Sequence, residues 1–134
     1  MKNIILLFTL LLSYSICNSQ VLKFRSFSSC IKSKTSYGWT KWSEPTENNI
    51  LIVFNLDKER ITIYSKETQV YDIYRTYKRE TDSDGDYTYK YSCIDADGLR
   101  CSIRWVKLNS QEGRLQVYID YSDTMWMYNV NLIE

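Results

Sequence analysis

The feature that most constrains the fold is an alternation of apolar and polar residues with a period of two. In residues 86–93, DYTYKYSC, three tyrosines and the cysteine fall on one face, and Asp, Thr, Lys and Ser fall on the other. Residues 99–106 repeat the alternation, with Leu, Cys, Ile and Trp on one face. Such a pattern is typical of β-strands with one buried face. Both segments are therefore predicted to be strands.

Similar segments follow one another along most of the chain. In residues 70–78, the side chains of Tyr71, Ile73 and Tyr77 are predicted to share a face. Short connections rich in Asp, Asn, Ser and Lys separate the segments and are typical of tight turns. The predicted strands cover residues 34–43, 50–56, 61–63, 70–78, 86–93, 99–106, 114–121 and 126–132.

This succession predicts an all-β fold, a single antiparallel meander of about eight strands, and no helix of ordinary length. A lipocalin-like up-and-down β-barrel is favoured over a β-sandwich, because a sandwich usually needs longer crossovers between its two sheets. Residues 34–134 are predicted to form the barrel domain. Residues 20–33, which alternate less clearly, are expected to be an N-terminal arm or leader strand.

Residues 1–19 are predicted to be a secretory signal peptide. Lys2 precedes a short apolar run, residues 4–12, and small and polar residues follow it. This is the layout of a signal peptide, and the run is shorter than the roughly 20 residues that a spanning helix needs. The alternative is a lipid anchor on Cys17, although Ile16 stands where that processing normally has a small residue. The expected location is secreted or periplasmic.

The charge balance argues against nucleic acid or an anionic membrane as a main partner. Without Lys2 the chain has 16 basic and 16 acidic residues, so its net charge is near zero. A neutral chain lacks the basic surplus that nucleic-acid binding needs. Residues 20–134 also contain no long apolar run, so no integral membrane segment is predicted after cleavage. An unknown protein, a small molecule or a glycan is expected as partner.

Two cysteines flank the turn segment in residues 93–101, CIDADGLRC. A three-residue loop, 96–98, would set Cys93 opposite Cys101 and align apolar partners further along both strands. A two-residue turn would set the same cysteine and tyrosines against polar residues, since a slip of one residue reverses every side chain. The sequence therefore predicts the three-residue loop and a Cys93–Cys101 disulfide, with buried free thiols and a redox role as alternatives. Cys30 is left over, either buried or available to another chain.

The residue types disfavour most catalytic chemistry. The chain has no histidine, which removes the usual general base and the triads that depend on it. The acidic turns at 82–86 and 95–98 lack the full pattern of a calcium loop, so neither a metal site nor a cofactor is predicted. One enzymatic alternative remains, a glycan hydrolase with a pair of carboxylates. Its candidate acids are Glu44, Glu47, Asp72 and Asp120.

The aromatic residues, including twelve tyrosines and four tryptophans, are the remaining candidates for a binding site. One set shares the inner face and predicts either a packed core or an interior pocket: Tyr71, Tyr89, Tyr91, Trp105, Trp126 and Tyr128. A second set is expected on the outer face or in loops: Trp39, Trp42, Tyr74 and Tyr118. If the second set is clustered, it makes a binding surface.

The function predicted first is therefore that of an exported, non-enzymatic β-barrel that acts by binding through exposed aromatic residues. A lipocalin-like carrier of a small apolar or aromatic ligand is one alternative, because aromatic walls with a few hydroxyl groups suit such a ligand. A glycan-binding protein or a glycan hydrolase is the other.

Overall fold

The computed structural model describes residues 20–133, which form strands, turns and one short 3-10 helix at Asn109–Gln111. No helix in this range is long and apolar enough to cross a bilayer. The predicted signal peptide and Cys17 lie outside the described residues. The strands are β1 (Val21–Thr35), β2 (Gly38–Trp39), β3 (Thr46–Glu47), β4 (Leu51–Asn55), β5 (Arg60–Tyr64), β6 (Thr68–Thr76), β7 (Glu80–Thr81), β8 (Tyr87–Asp95), β9 (Arg100–Leu108), β10 (Arg114–Asp120) and β11 (Thr124–Leu132).

Eight of these strands form a closed antiparallel barrel in the order β1, β4, β5, β6, β8, β9, β10 and β11. The barrel closes because β1 pairs on one side with β4 and on the other with β11. Phe24, for example, lies opposite Ile52 on one side and opposite Leu132 on the other. The prediction of an up-and-down barrel is therefore confirmed. Residues 20–33, expected as an arm or leader strand, lie almost entirely in β1 (Val21–Thr35), the strand that closes the barrel.

The first strand has weak alternation for a physical reason. Its register against β11 shifts between Ser26 and Ser28, so Phe27 is an extra residue that leaves the ladder and is exposed. A bulge of this kind reverses the facing of every residue after it. Phe24 and Ser26 before the bulge point inward and are buried, whereas Cys30 after it lies on the outer face beside Met127.

The interior is filled by the side chains that alternation predicts. Phe24 packs against Phe54 with ring centroids 5.5 Å apart, and Phe54 packs against Tyr91 at 5.6 Å. A small barrel of eight strands is just wide enough for side chains to fill it. The buried cluster consists of Phe24, Ile52, Phe54, Ile61, Ile63, Tyr71, Ile73, Tyr91, Cys93, Cys101, Ile103, Val117, Ile119, Tyr128 and Val130.

The β8–β9 hairpin has the predicted register. Cys93 lies opposite Cys101, and Tyr91 lies opposite Ile103. The loop is closed by the Asp95 N–H, which donates to the Leu99 carbonyl at 2.9 Å, and Gly98 has a φ of 81°. That left-handed conformation is one that glycine adopts without steric cost. The three-residue loop is confirmed.

The predicted Cys93–Cys101 disulfide is wrong, because both residues are free thiols in the buried interior. The Cys93 Sγ is directed along its own strand and donates to the Tyr91 carbonyl at 3.8 Å. Opposed positions bring two cysteines side by side, but a disulfide also needs both side chains turned toward each other. Cys30 is likewise free and buried.

A second bulge lies in β6, where the register against β8 shifts between Ile73 and Arg75. Tyr74 is the extra residue and is exposed. Beyond it the facing is reversed, so the Tyr77 hydroxyl lies 3.0 Å from the outward Ser92 hydroxyl. The prediction that Tyr71, Ile73 and Tyr77 share a face is therefore wrong for Tyr77, since an inserted residue breaks the period of two.

Candidate functional site

The outer wall of the barrel carries a segment, residues 38–47, that lies along the free edge of β1. Within it Trp39 pairs with Lys34 in a short ladder. Further along, the Ser43 N–H donates to the Ile31 carbonyl at 2.9 Å, and the Ser43 hydroxyl accepts from the Ile31 N–H at 3.0 Å. These bonds fix the backbone on both sides of Trp42. The segment therefore holds two tryptophans against the barrel wall.

Aromatic rings and cations alternate where this segment meets the wall. Trp42 packs on Tyr118 of β10, with centroids 6.1 Å apart and planes inclined by 57°. The Lys32 ammonium lies 4.6 Å from the Trp42 ring and 5.6 Å from the Trp39 ring. The Arg104 guanidinium lies 3.9 Å from the Tyr118 ring. We call these five residues, Lys32, Trp39, Trp42, Arg104 and Tyr118, the outer-face aromatic patch.

The two tryptophans remain accessible although they are held in place. Trp39 is 39% exposed and Trp42 is 36% exposed. Cation–π contacts at such exposed sites each contribute about 0.5–1 kcal/mol, enough to favour one arrangement of the rings. The patch therefore presents two indole rings to solvent in defined positions.

Three of the four outer aromatics named from the sequence come together here: Trp39, Trp42 and Tyr118. The fourth, Tyr74, lies apart on β6, which β8 and β9 separate from β10 in the sheet. Its ring is 5.8 Å from the Arg100 guanidinium, and it has no part in the patch. The sequence could not have identified Lys32 and Arg104, because cations at outward strand positions are common.

A hydrogen-bond network beneath the patch fixes Tyr118. Its hydroxyl donates to Gln116 Oε1 at 2.7 Å, and Gln116 Nε2 donates to Asn129 Oδ1 at 3.1 Å. Asn129 Nδ2 donates in turn to the Ser28 hydroxyl at 2.9 Å. Gln116 and Asn129 are buried although they face outward, so these bonds compensate their desolvation. Burial also raises the pKa of Tyr118, which keeps its hydroxyl protonated as the donor.

Arg104 is fixed by a different partner. Its Nε donates to Asp120 Oδ2 at 2.8 Å in an ion pair that is largely shielded from solvent. The other carboxylate oxygen of Asp120 is buried without a hydrogen-bond partner among the described residues. The ion pair holds the guanidinium over the Tyr118 ring. The Arg104 side of the patch is therefore fixed in position, as the Trp42 side is.

The six inner-face aromatics are divided among three places. Tyr71, Tyr91 and Tyr128 are buried in the core cluster. Tyr89 and Trp105 stack at the end of the barrel that carries the β9–β10 connection, with centroids 4.2 Å apart and planes within 10°. Trp126 occupies an inward-facing position opposite Ile119. It is nevertheless 39% exposed, because β11 begins beyond the packed core. Most of the set fills the interior.

The carboxylates considered for hydrolysis have separate positions. Asp72 of β6 pairs with Arg60 at 3.2 Å, and Asp120 of β10 pairs with Arg104. Two strands separate β6 from β10, and Glu44 and Glu47 are exposed in the 38–47 segment. The described residues therefore give no support to a pair made by Asp72 and Asp120.

The acidic turn at 82–86 brings three carboxylates together. Oxygen atoms of Asp82, Asp84 and Asp86 lie within 4.8 Å of one another. Asp82 Oδ1 accepts from the N–H groups of both Asp84 and Asp86, which is the ordinary role of aspartate in a tight turn. This turn and the β8–β9 turn lie at opposite ends of the barrel, as expected for turns that flank one strand.

Comparison with known proteins gave no match: neither a family model, nor a curated protein, nor a solved structure matches the chain.

Proposed function

We propose that this chain is an exported, non-enzymatic binding protein that engages a protein partner through the outer-face aromatic patch. The observation that carries the proposal is that Trp39 and Trp42 stay more than a third exposed while Lys32 and Tyr118 hold them in place. Burying so much apolar surface against a partner would be favourable.

The composition of the patch supports a protein partner. Tryptophan, tyrosine and arginine are the residues that most often dominate the binding energy of protein interfaces. Trp39, Trp42, Tyr118 and Arg104 supply all three types within one surface. The patch contains neither leucine nor valine, the apolar residues that seldom dominate binding energy at protein interfaces.

The rigidity of the patch supports the same conclusion. A binding surface loses affinity when flexible side chains must be ordered on contact. Trp42 is held by Lys32 and Tyr118, and Tyr118 is held by Gln116, so little ordering is left to occur. The filled interior also leaves the outer wall as the better place for a large partner.

The experiment that tests the proposal measures binding of the fluorescently labelled protein to intact cells of the organism that produces it. The test variant is Trp39→Ala/Trp42→Ala, and the control is Tyr64→Ala/Tyr74→Ala, which removes two aromatics outside the patch that are more exposed than the tryptophans. We expect saturable binding that the test variant weakens by about 100-fold or more, since hot-spot residues each contribute about 2 kcal/mol or more.

Protease treatment of the cells is expected to abolish the binding. Binding that survives protease but is lost after periodate oxidation would replace the protein partner with a glycan. Equal losses for the two variants, or no saturable binding, would contradict the proposal.

A further inference from the structure

A second candidate site lies at the end of the barrel that carries the β5–β6 and β8–β9 turns. A cavity of about 420 Å³ opens there between these turns. This volume is within the range of small-molecule sites, roughly 300–1,000 Å³. The residues that line it are Glu67, Thr68, Gln69, Val70, Tyr71, Asp95, Ala96, Asp97 and Tyr121.

The charge of this cavity has one sign. Its lining includes three carboxylates, Glu67, Asp95 and Asp97, and no basic side chain. Asp95 accepts hydrogen bonds from the Tyr121 hydroxyl at 2.7 Å and from the N–H groups of Asp97 and Leu99, each at 2.9 Å. These bonds lower the pKa of Asp95, so it is ionised near neutral pH.

The tyrosine hydroxyls of the cavity have their protons directed at protein acceptors. Tyr71 donates to Gln69 Oε1 at 2.6 Å, and Tyr121 donates to Asp95 Oδ2. Burial raises the pKa of both tyrosines, so both stay neutral. Both protons are therefore engaged in hydrogen bonds within the protein. Because Tyr71 is only 4% exposed, the aromatic surface that a ligand meets is that of the half-buried Tyr121. Such a lining suits a hydrogen-bond donor with positive charge and disfavours an anion.

We propose that this cavity binds a small organic cation, an ammonium ion with an apolar or aromatic body. Its charged group pairs with the carboxylates of Glu67, Asp95 and Asp97, and its body lies against the half-buried side chains of Tyr121 and Val70. Ion pairing and cation–π attraction both favour this class of ligand. The site is independent of the outer-face aromatic patch, because the two sets of residues have no member in common.

The test is isothermal titration calorimetry on the whole exported protein with three probes of one shape: phenethylammonium, neutral 2-phenylethanol and anionic phenylacetate. Choline serves as a second cation. We expect saturable binding of the cations only. The variant Glu67→Gln/Asp97→Asn is expected to weaken that binding about tenfold, because it removes two negative charges that attract the cation.

The control Asp82→Asn/Asp84→Asn makes the same change in net charge at the opposite end of the barrel and should leave the affinity unchanged. The variant Tyr121→Phe should weaken cation binding as well, because Asp95 loses the donor that orients it. Equal affinity for 2-phenylethanol and phenethylammonium would overturn the proposal. So would equal effects of the two double variants, or no heat from either cation at millimolar concentration.

Discussion

The Trp42 ring packs on the Tyr118 ring with centroids 6.1 Å apart, and this contact joins the 38–47 segment to the outer face of β10. In sequence the two residues are far apart. They meet because β1, which holds the segment, pairs with β11, and β11 pairs with β10. The patch is therefore a consequence of barrel closure.

The substitution Tyr118→Phe separates the role of the hydroxyl from the role of the ring. It removes the donor to Gln116 Oε1, a buried acceptor, while the ring remains for Trp42 and Arg104. The free energy of unfolding should fall by about 1–2 kcal/mol, the usual cost of a buried polar group that loses its partner. Urea unfolding measures this change. Tyr74→Phe at an exposed position is the control, and equal effects of the two variants would contradict the account.

Where alternation is unbroken, the sequence predicts this fold well. The β8–β9 hairpin has no bulge, so matching apolar partners selected one register, and Gly98 occupies the left-handed position that the loop requires. Where a β-bulge inserts a residue, alternation no longer predicts which face the following side chains occupy. The extra Tyr74 moved Tyr77 to the other face, and no local signal in the sequence marks the insertion.

The candidate site was predictable only in part. Alternation and loop position identified Trp39, Trp42 and Tyr118 as outward, but their contact depends on the pairing of β1 with β11. The disulfide was predicted from register, which places the two backbones correctly. Register does not specify side-chain rotamers, and a disulfide also needs both sulfur atoms turned toward each other.

The buried thiols should be slow to react in the native protein. Burial raises the pKa of Cys93 to about 12 and that of Cys101 to about 11, so both are protonated near neutral pH. Only the thiolate is an effective nucleophile. We expect iodoacetamide to leave both residues unmodified in buffer and to label all of Cys30, Cys93 and Cys101 in urea. Mass spectrometry of proteolytic peptides measures both. Equal labelling in the two conditions, or a mass that corresponds to a disulfide, would contradict this.

The same thiols predict a loss of stability in alkaline solution. An unfolded cysteine ionises near pH 8.5, whereas the folded pKa values of Cys93 and Cys101 are higher. Between these values the unfolded state binds fewer protons than the folded state, so the free energy of unfolding falls as the pH rises. The stabilising contribution is complete below about pH 8 and is lost progressively up to about pH 12, the higher of the two folded pKa values.

Urea unfolding between about pH 7 and pH 10 measures that loss. The variant Cys93→Ala/Cys101→Ala should be less stable overall, because it leaves space in the core, but its stability should depend less on pH over this range. If the free energy of unfolding depended on pH in the same way for the variant and the wild type, the thiols would not differ in pKa between the folded and unfolded states. That result would contradict the prediction.

The most direct test of the binding surface is photo-crosslinking on intact producer cells. A benzophenone side chain is placed at position 40 or 41, which are exposed and lie between Trp39 and Trp42, and at position 64 or 74 as exposed controls outside the patch. We expect one discrete crosslinked protein from positions 40 and 41, competed by unlabelled wild type, and none from positions 64 and 74. Crosslinks from the control positions alone, or no crosslink from positions 40 and 41, would contradict the proposal that this barrel binds its partner through the outer-face aromatic patch.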